Sequence, residues 1–193
     1  MRDHNQPGPP VIRRSGRVRD DGFDAFTASA TDGLLRTVSL IVWDPSVAED
    51  VVQECLLQVV RRWSRVRRMA HPYAYARRIA TNLAISAAER LSSERAELAA
   101  ALFFEPVDAT ARLALEQVDH QNDLDAALGR LAPRQRAVLV LRFFEDLTEA
   151  QTAEALGCSV GTVKSTCSRA LDRLRGDLRH EMTFEHHYRP ASR

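Results

Sequence analysis

Five residues in the last quarter of the chain, Thr162, Lys164, Ser165, Ser168 and Arg169, place small hydroxyls and cations on one arc of a helix. The opposite arc carries Val160, Val163, Cys167, Ala170, Leu171 and Leu174 at 3.6-residue spacing. Small side chains let a helix approach another surface closely, and Lys and Arg reach past them. That is the chemistry needed to contact base edges and phosphates in a major groove. The preceding residues would hold such a helix in place. Thr148 followed by Gln151 is a capping box, opening a short helix with Ala150, Ala153, Ala155 and Leu156 as its apolar face. Gly157 can take the left-handed conformation that ends it. Ser159 can cap the next helix, to about Arg175, whose first turn offers free amides to a phosphate. Two helices joined by a short glycine-containing turn form the helix-turn-helix pattern. An ordinary pair of packed helices with a solvated basic face has the same pattern.

A second group lies in the first half. From Arg61 to Arg90 there are eight arginines and one acid, Glu89, whereas Glu105 to Asp125 holds six acids and one base, Arg112. The net charge of +1 conceals this segregation, and local charge blocks are what bear on nucleic-acid binding. Tyr73 and Tyr75 sit within the basic block. Aromatic faces beside phosphate-neutralising cations suit unstacked single strands, although half-buried core tyrosines with polar tips fit the same spacing. A third group, Asp50, Gln53 and Glu54, lies on the polar face of a strongly two-sided helix.

Catalytic chemistry is not indicated. No nucleophile stands near a base, and the chain shows neither a phosphate-cradling glycine loop nor a paired-carboxylate site, so neither enzymatic activity nor a cofactor is expected. The three cysteines, Cys55, Cys158 and Cys167, lack CxxC spacing and read as reduced, buried thiols in a cytoplasmic protein. His186 and His187 are adjacent, so they point to different faces of a helix without further ligands; no metal site is expected. No apolar run is long enough to cross a membrane, and the basic N-terminus lacks the apolar core of a signal peptide.

The elements that must position these groups are all helical. Residues 1–22 carry Pro7, Pro9, Pro10 and scattered arginines, and read as a disordered arm. A helix over Phe23–Val42 ends at Asp44-Pro45. Ser46 with Glu49 reads as a second capping box, opening a helix with Val51, Val52, Cys55, Leu56, Val59, Val60 and Trp63 inside. A third helix runs from about Tyr73 to Leu91. Periodicity fades over 92–114, which reads as a linker. Helices follow at 115–131 and, with Pro133 as first residue, to Phe144. That last helix, containing AVLVLRFF, is apolar nearly all round and must be covered on more than one side. The expectation is two small helical domains, 23–91 and 115–179, with a charged tail over 180–193.

These features together resemble the extracytoplasmic-function (ECF) group of bacterial sigma factors, within the primary-sigma superfamily. AEDVVQECLLQVVRRW resembles sigma region 2.2, and PYAYARRIATNLA resembles regions 2.3 and 2.4. The stretch from LGRLAPRQRAVLVL through SRALDRLR resembles region 4, in an ordered pattern over nearly fifty residues. The resemblance implies a non-catalytic initiation factor that binds core RNA polymerase and recognises the −35 and −10 promoter elements. It implies that Asp50, Gln53 and Glu54 meet the β′ clamp helices, and that region 4 meets the β flap. It assigns Tyr75, Arg77, Arg78 and Asn82 to the −10 element, and Thr162, Lys164, Ser165, Ser168 and Arg169 to the −35 element. An anti-sigma factor is a further partner known to the group, left open by the sequence. Where the family often carries Trp-Leu, this chain has Tyr75-Ala76. Two other readings compete: a conventional helix-turn-helix regulator with a sensory N-terminal half, and a nucleic-acid hydrolase with a helical DNA-binding tail.

Overall fold

The computed structural model describes residues 22–102 and 127–187, with side chains over 22–101 and 127–177. The described residues contain helices and turns and no strand. In chain order the helices are α1 (Phe23–Val42), α2 (Pro45–Val60), α3 (Trp63–Val66), α4 (Pro72–Leu102), α5 (Pro133–Leu139), α6 (Glu149–Leu156) and α7 (Val160–His187).

Helices α1, α2 and α4 form the first lobe. Leu34, Val38 and Ile41 of α1 are fully buried with Cys55 and Val59 of α2 and with Ala76, Ala80 and Ala84 of α4. The alanines recur every fourth residue, so α4 presents a smooth stripe that lets the other two helices come close. Gly33 serves the same purpose on α1, because a Cβ there would lie 2.6 Å from the Tyr73 hydroxyl. Trp63 closes one end against Phe23 and Phe26, at centroid distances of 5.3 and 5.1 Å.

Three boundaries differ from the sequence expectation, one of them that of α7, which was expected to end near Arg175 and continues to His187. The cap of α2 is Asp44: its Oδ1 accepts from the amides of Ser46 and Val47 at 3.1 and 3.2 Å, and Pro45 is the first helical residue. Ser46 is thus inside the helix, where it donates its hydroxyl to the same carboxylate. That hydroxyl bond and the Val47 amide hold the Asp44 carboxyl below its ordinary value. Helix α4, expected to stop near Leu91, continues to Leu102. The residues SSERAELAAAL contain no Gly or Pro and many strong helix formers, so loss of an apolar face did not mean loss of the helix. The linker expected over 92–114 therefore begins as helix. The N-terminal arm, residues 103–126 and the end of the tail lie outside the described residues.

The second lobe is built on α5. Pro133 is its first residue, as its position predicts, and the Gln135 side chain accepts from the Ala132 amide at 3.3 Å. The helix widens over Val140–Phe144 into a π turn, in which the Glu145 amide reaches the Val140 carbonyl at 3.0 Å. Ala137 to Leu141 are buried, but Phe143 and Phe144 are 63% and 50% exposed. The apolar helix is covered on two sides: one by α7, through Leu139, Ala170 and Leu174, and one by the first lobe, whose core cluster includes Ala137, Val138 and Leu141. Arg136 pins the two lobes together. Its Nε donates to the Ile41 carbonyl at 2.7 Å, its Nη1 to the carbonyls of Leu128 and Gly129, and its guanidinium lies 5.6 Å from the Trp43 ring. Burial lowers its pKa to about 10.

Candidate nucleic-acid interface

The helix-turn-helix forms as the capping residues dictate. Thr148 Oγ1 accepts from the Gln151 amide at 3.2 Å, and Gln151 Oε1 accepts from the Thr148 amide at 2.9 Å. Gly157 sits at φ 63°, ψ 38°, a conformation that costs a side-chain-bearing residue about 1–2 kcal/mol. Ser159 Oγ accepts from the Thr162 amide at 3.1 Å and opens α7. Val163, Ala170 and Leu174 are buried, Cys167 and Leu171 partly so. Two expected inner-face residues are not: Val160 and Ala150 are exposed, because each stands in the first turn of its helix, beyond the reach of the underlying core. Thr152 takes the buried place instead.

Thr162, Lys164, Ser165, Ser168 and Arg169 are all exposed, on the arc away from the core. The side chains of Thr162, Lys164, Ser165 and Arg169 make local bonds. Arg169 donates through Nε to the Ser165 carbonyl at 3.1 Å and through Nη2 to Ser165 Oγ at 3.3 Å. Thr162 Oγ1 and Ser159 Oγ are 2.9 Å apart. Lys164 Nζ lies 3.5 Å from Glu149, an exposed pair of the kind worth about 1 kcal/mol or less, which a phosphate can displace.

The residues assigned to single-strand capture line two adjoining cavities, with Tyr75 and Arg78 in both. Tyr75, Arg78 and Asn82, with Gln58, Ile79 and Ser86, line an open groove of about 380 Å³ between α2 and α4. Arg62 donates to the Tyr75 hydroxyl at 3.3 Å. Arg77 faces the second lobe, in a cavity of about 680 Å³ that it lines with Tyr75, Arg78, Gln151 and Ala155. It pairs with Glu145 at 3.1 Å, and its side chain is 15% exposed; the guanidinium lies 5.6 Å from the Tyr73 ring. The Tyr73 phenol is pushed up by burial and by the nearby Glu145. Asn82 Nδ2 donates to the Arg78 carbonyl at 2.7 Å and, across the lobe boundary, to the Ala155 carbonyl at 3.2 Å.

On α2, Asp50 and Gln53 are exposed and Glu54 partly so, with Glu54 accepting from Gln58 Nε2 at 3.0 Å. The structure adds Leu57 and Val60, 50% and 42% exposed on the same helix. Val60 was expected inside. Leu57 completes an i, i+3, i+4, i+7 series with Asp50, Gln53 and Glu54, and that spacing was the available signal. Glu145 and Arg136, which join the lobes, gave no signal: each stands beside another charge of its own sign, Asp146 and Arg134, at the edge of an apolar run. Among the described residues no cluster of His, Cys, Asp and Glu could hold a metal ion, and no helix is long and apolar enough to cross a membrane.

Comparisons with known proteins agree with this arrangement. Residues 32–94 match the family described as Sigma-70 region 2, and residues 121–174 match Sigma-70, region 4. The chain is 37% identical over 158 residues to the RNA polymerase sigma-E factor of Streptomyces coelicolor, covering 81% of this chain and 85% of that one. It is 28% identical over 174 residues to the ECF RNA polymerase sigma factor SigK of a Mycobacterium species, covering 88% and 86%. Its fold is similar to that of the sigma factor RpoE, solved in complex with the anti-sigma factor NepR from Bartonella quintana. The TM-score is 0.60 at 23% identity, over 82% of this chain and 97% of that one. A region 2 match over the first lobe disfavours a regulator with a sensory N-terminal half, and a hydrolase finds no support. The chain belongs to the sigma-70 family of RNA polymerase sigma factors, in its extracytoplasmic-function group, and is a transcription initiation factor rather than an enzyme.

Proposed function

We propose that this sigma factor, working in the cytoplasm, docks on core RNA polymerase through α2, captures the −10 element with the groove between α2 and α4, and reads the −35 element with α7. The observation that carries the reading is the first turns of α7. All five residues Thr162, Lys164, Ser165, Ser168 and Arg169 are exposed on one arc, over a buried face of Val163, Ala170 and Leu174. Of these, Lys164 and Arg169 reach base edges or phosphates, Ser165 and Ser168 permit close approach, and Thr162 with the helix start offers amides to a phosphate.

In the first lobe, Tyr75 supplies an aromatic face beside the cation of Arg78, a pairing suited to an unstacked base next to a phosphate. Asn82 adds a donor to the same groove once its amide leaves the Ala155 carbonyl, and Arg77 a second cation once freed from Glu145. Asp50, Gln53 and Glu54 with Leu57 make a mixed acidic and apolar strip on α2, suited to the β′ clamp helices. The exposed Phe143 and Phe144 suit the β flap. The two domains are proposed over 23–91 and 115–179, with α4 running on to Leu102 and α7 to His187, and an anti-sigma factor is a further candidate partner. Promoter selection from random DNA by core polymerase supplemented with this chain tests the reading. Enrichment of a shared pair of elements at fixed spacing is expected. Enrichment no greater than with core alone would overturn it.

A further inference from the structure

We infer that Glu149 is a positioning residue for the −35 element: its carboxylate holds Lys164 over the start of α7 and biases that cation toward a base edge and away from the phosphate backbone. The inference deepens the −35 reading above and rests on it. Among the described residues, the bonds of Thr162, Ser165 and Arg169 stay within α7 and its cap Ser159. Lys164 is the member of the arc held by another helix: its Nζ lies 3.5 Å from Oε2 of Glu149, the first residue of α6. The backbone beneath that carboxylate is fixed in turn, because Glu149 follows Thr148, which the capping box with Gln151 locks in place. The carboxylate also acts on Cys167, about one turn beyond Lys164. That thiol is pushed up by burial, with Arg142 opposing the rise and Glu149 adding to it. Glu149 thus stands over the first turns of α7, where the reading arc begins.

The chemistry of the pair gives the bias. An ammonium has three donors on a flexible stem. Left unheld, it contacts the nearest anion, and on DNA that is a phosphate, which carries no sequence information. One donor on Glu149 leaves two, and the edge of guanine presents two acceptors, N7 and O6, in the major groove. A base contact keeps the pair with Glu149, because the base edge is neutral. A phosphate contact brings a second anion against the carboxylate and breaks the pair. An exposed pair of this kind is worth up to about a fivefold preference, and that is the size of the bias. Discrimination rises because the wrong contact is penalised, not only because the right one is rewarded. An acid in the first turn of α6 also suits the helix dipole, but that role is local to α6 and does not involve Lys164.

The test uses core RNA polymerase with the full chain and a duplex library randomised over the −35 element, with base preferences read by sequencing the bound fraction. Compared are wild type, Glu149→Gln, Lys164→Ala, the double variant, and Glu154→Gln, which makes the same charge change at an exposed position of the same helix. Lys164→Ala identifies the position that Lys164 reads. Glu149→Gln is expected to lower the preference there about two- to fivefold and to leave the other positions as in wild type. In the Lys164→Ala background it is expected to add nothing, and Glu154→Gln is expected to match wild type. Three results would each overturn the positioning role while leaving Lys164 as a reader: wild-type preference in Glu149→Gln, an equal loss in Glu154→Gln, or an undiminished Glu149→Gln effect in the Lys164→Ala background. A Lys164→Ala chain that keeps every wild-type preference would overturn the −35 assignment of Lys164, and the positioning role of Glu149 with it.

Discussion

Arg169 shows how one side chain can be both ordered and available. Its two bonds to Ser165 hold the guanidinium along the exposed arc of α7, which limits the rotamer freedom lost on binding. Arg169→Ala should therefore act in one of two distinguishable ways. Loss of a base contact removes about 1–3 kcal/mol of discrimination at one −35 position, whereas loss of a phosphate contact weakens all sequences alike. Transcription from a panel of −35 variants separates them, with Lys164→Ala run in parallel; wild-type activity and preference in both mutants would remove this arc from DNA reading. Cys55 makes a prediction of a different kind. Buried against α4, with its thiol donating to the Ala76 carbonyl at 3.3 Å, its pKa is raised by desolvation from 9.0 to about 12. The folded state keeps this proton where the unfolded chain loses it. The contribution of Cys55 to stability is thus complete below pH 9 and falls away as pH rises toward about 12. Urea midpoints across that range should decline less steeply for Cys55→Ala than for wild type, and equal slopes would refute the burial argument.

At the scale of elements, local chemistry was the most legible part of the sequence. Thr148, Gln151, Gly157 and Ser159 each carry a specific backbone instruction, and each is obeyed. Gly157→Ala keeps every contact but forces a Cβ into the left-handed region, so it should cost about 1–2 kcal/mol in chemical denaturation. An unchanged midpoint would mean that the turn relaxes to another conformation. Elsewhere the rules competed. Ser46-x-x-Glu49 satisfies the capping-box pattern, yet Asp44 lies before Pro45 and its carboxylate reaches two amides at once, so it takes the cap. The extension of α4 to Leu102 was hidden because an exposed helix has no apolar stripe to reveal it. The π turn at Val140–Phe144 was hidden for a related reason, since a helix apolar all round gives no phase from which a change of register could be read. Val60 failed on geometry: it lies at the last residue of α2, where the core has already curved away toward Trp63.

For the whole molecule, the sequence points to candidate surfaces but not to how the lobes meet. Charge segregation and helical faces pick out α2, the α2–α4 groove and α7. The lobe contact depends on Arg136, Glu145 and Thr37, polar residues whose partners are distant in sequence, and no periodicity encodes such pairs. The strip on α2 that we propose faces polymerase can be tested without disturbing that contact. Asp50→Lys combined with Glu54→Lys changes surface charges on α2, away from its buried side, so thermal stability should hardly move while co-purification with core polymerase is lost. Loss of both together would assign the two acids a structural role.

The central claim is that this chain confers promoter-specific initiation on a polymerase that lacks it. Its most direct test is run-off transcription from a selected promoter by purified core RNA polymerase, with and without the full-length chain. The account predicts a transcript of single defined start only when the chain is present, lost when the −35 element is scrambled. Transcription that is the same with and without the chain, or indifferent to the promoter elements, would contradict it.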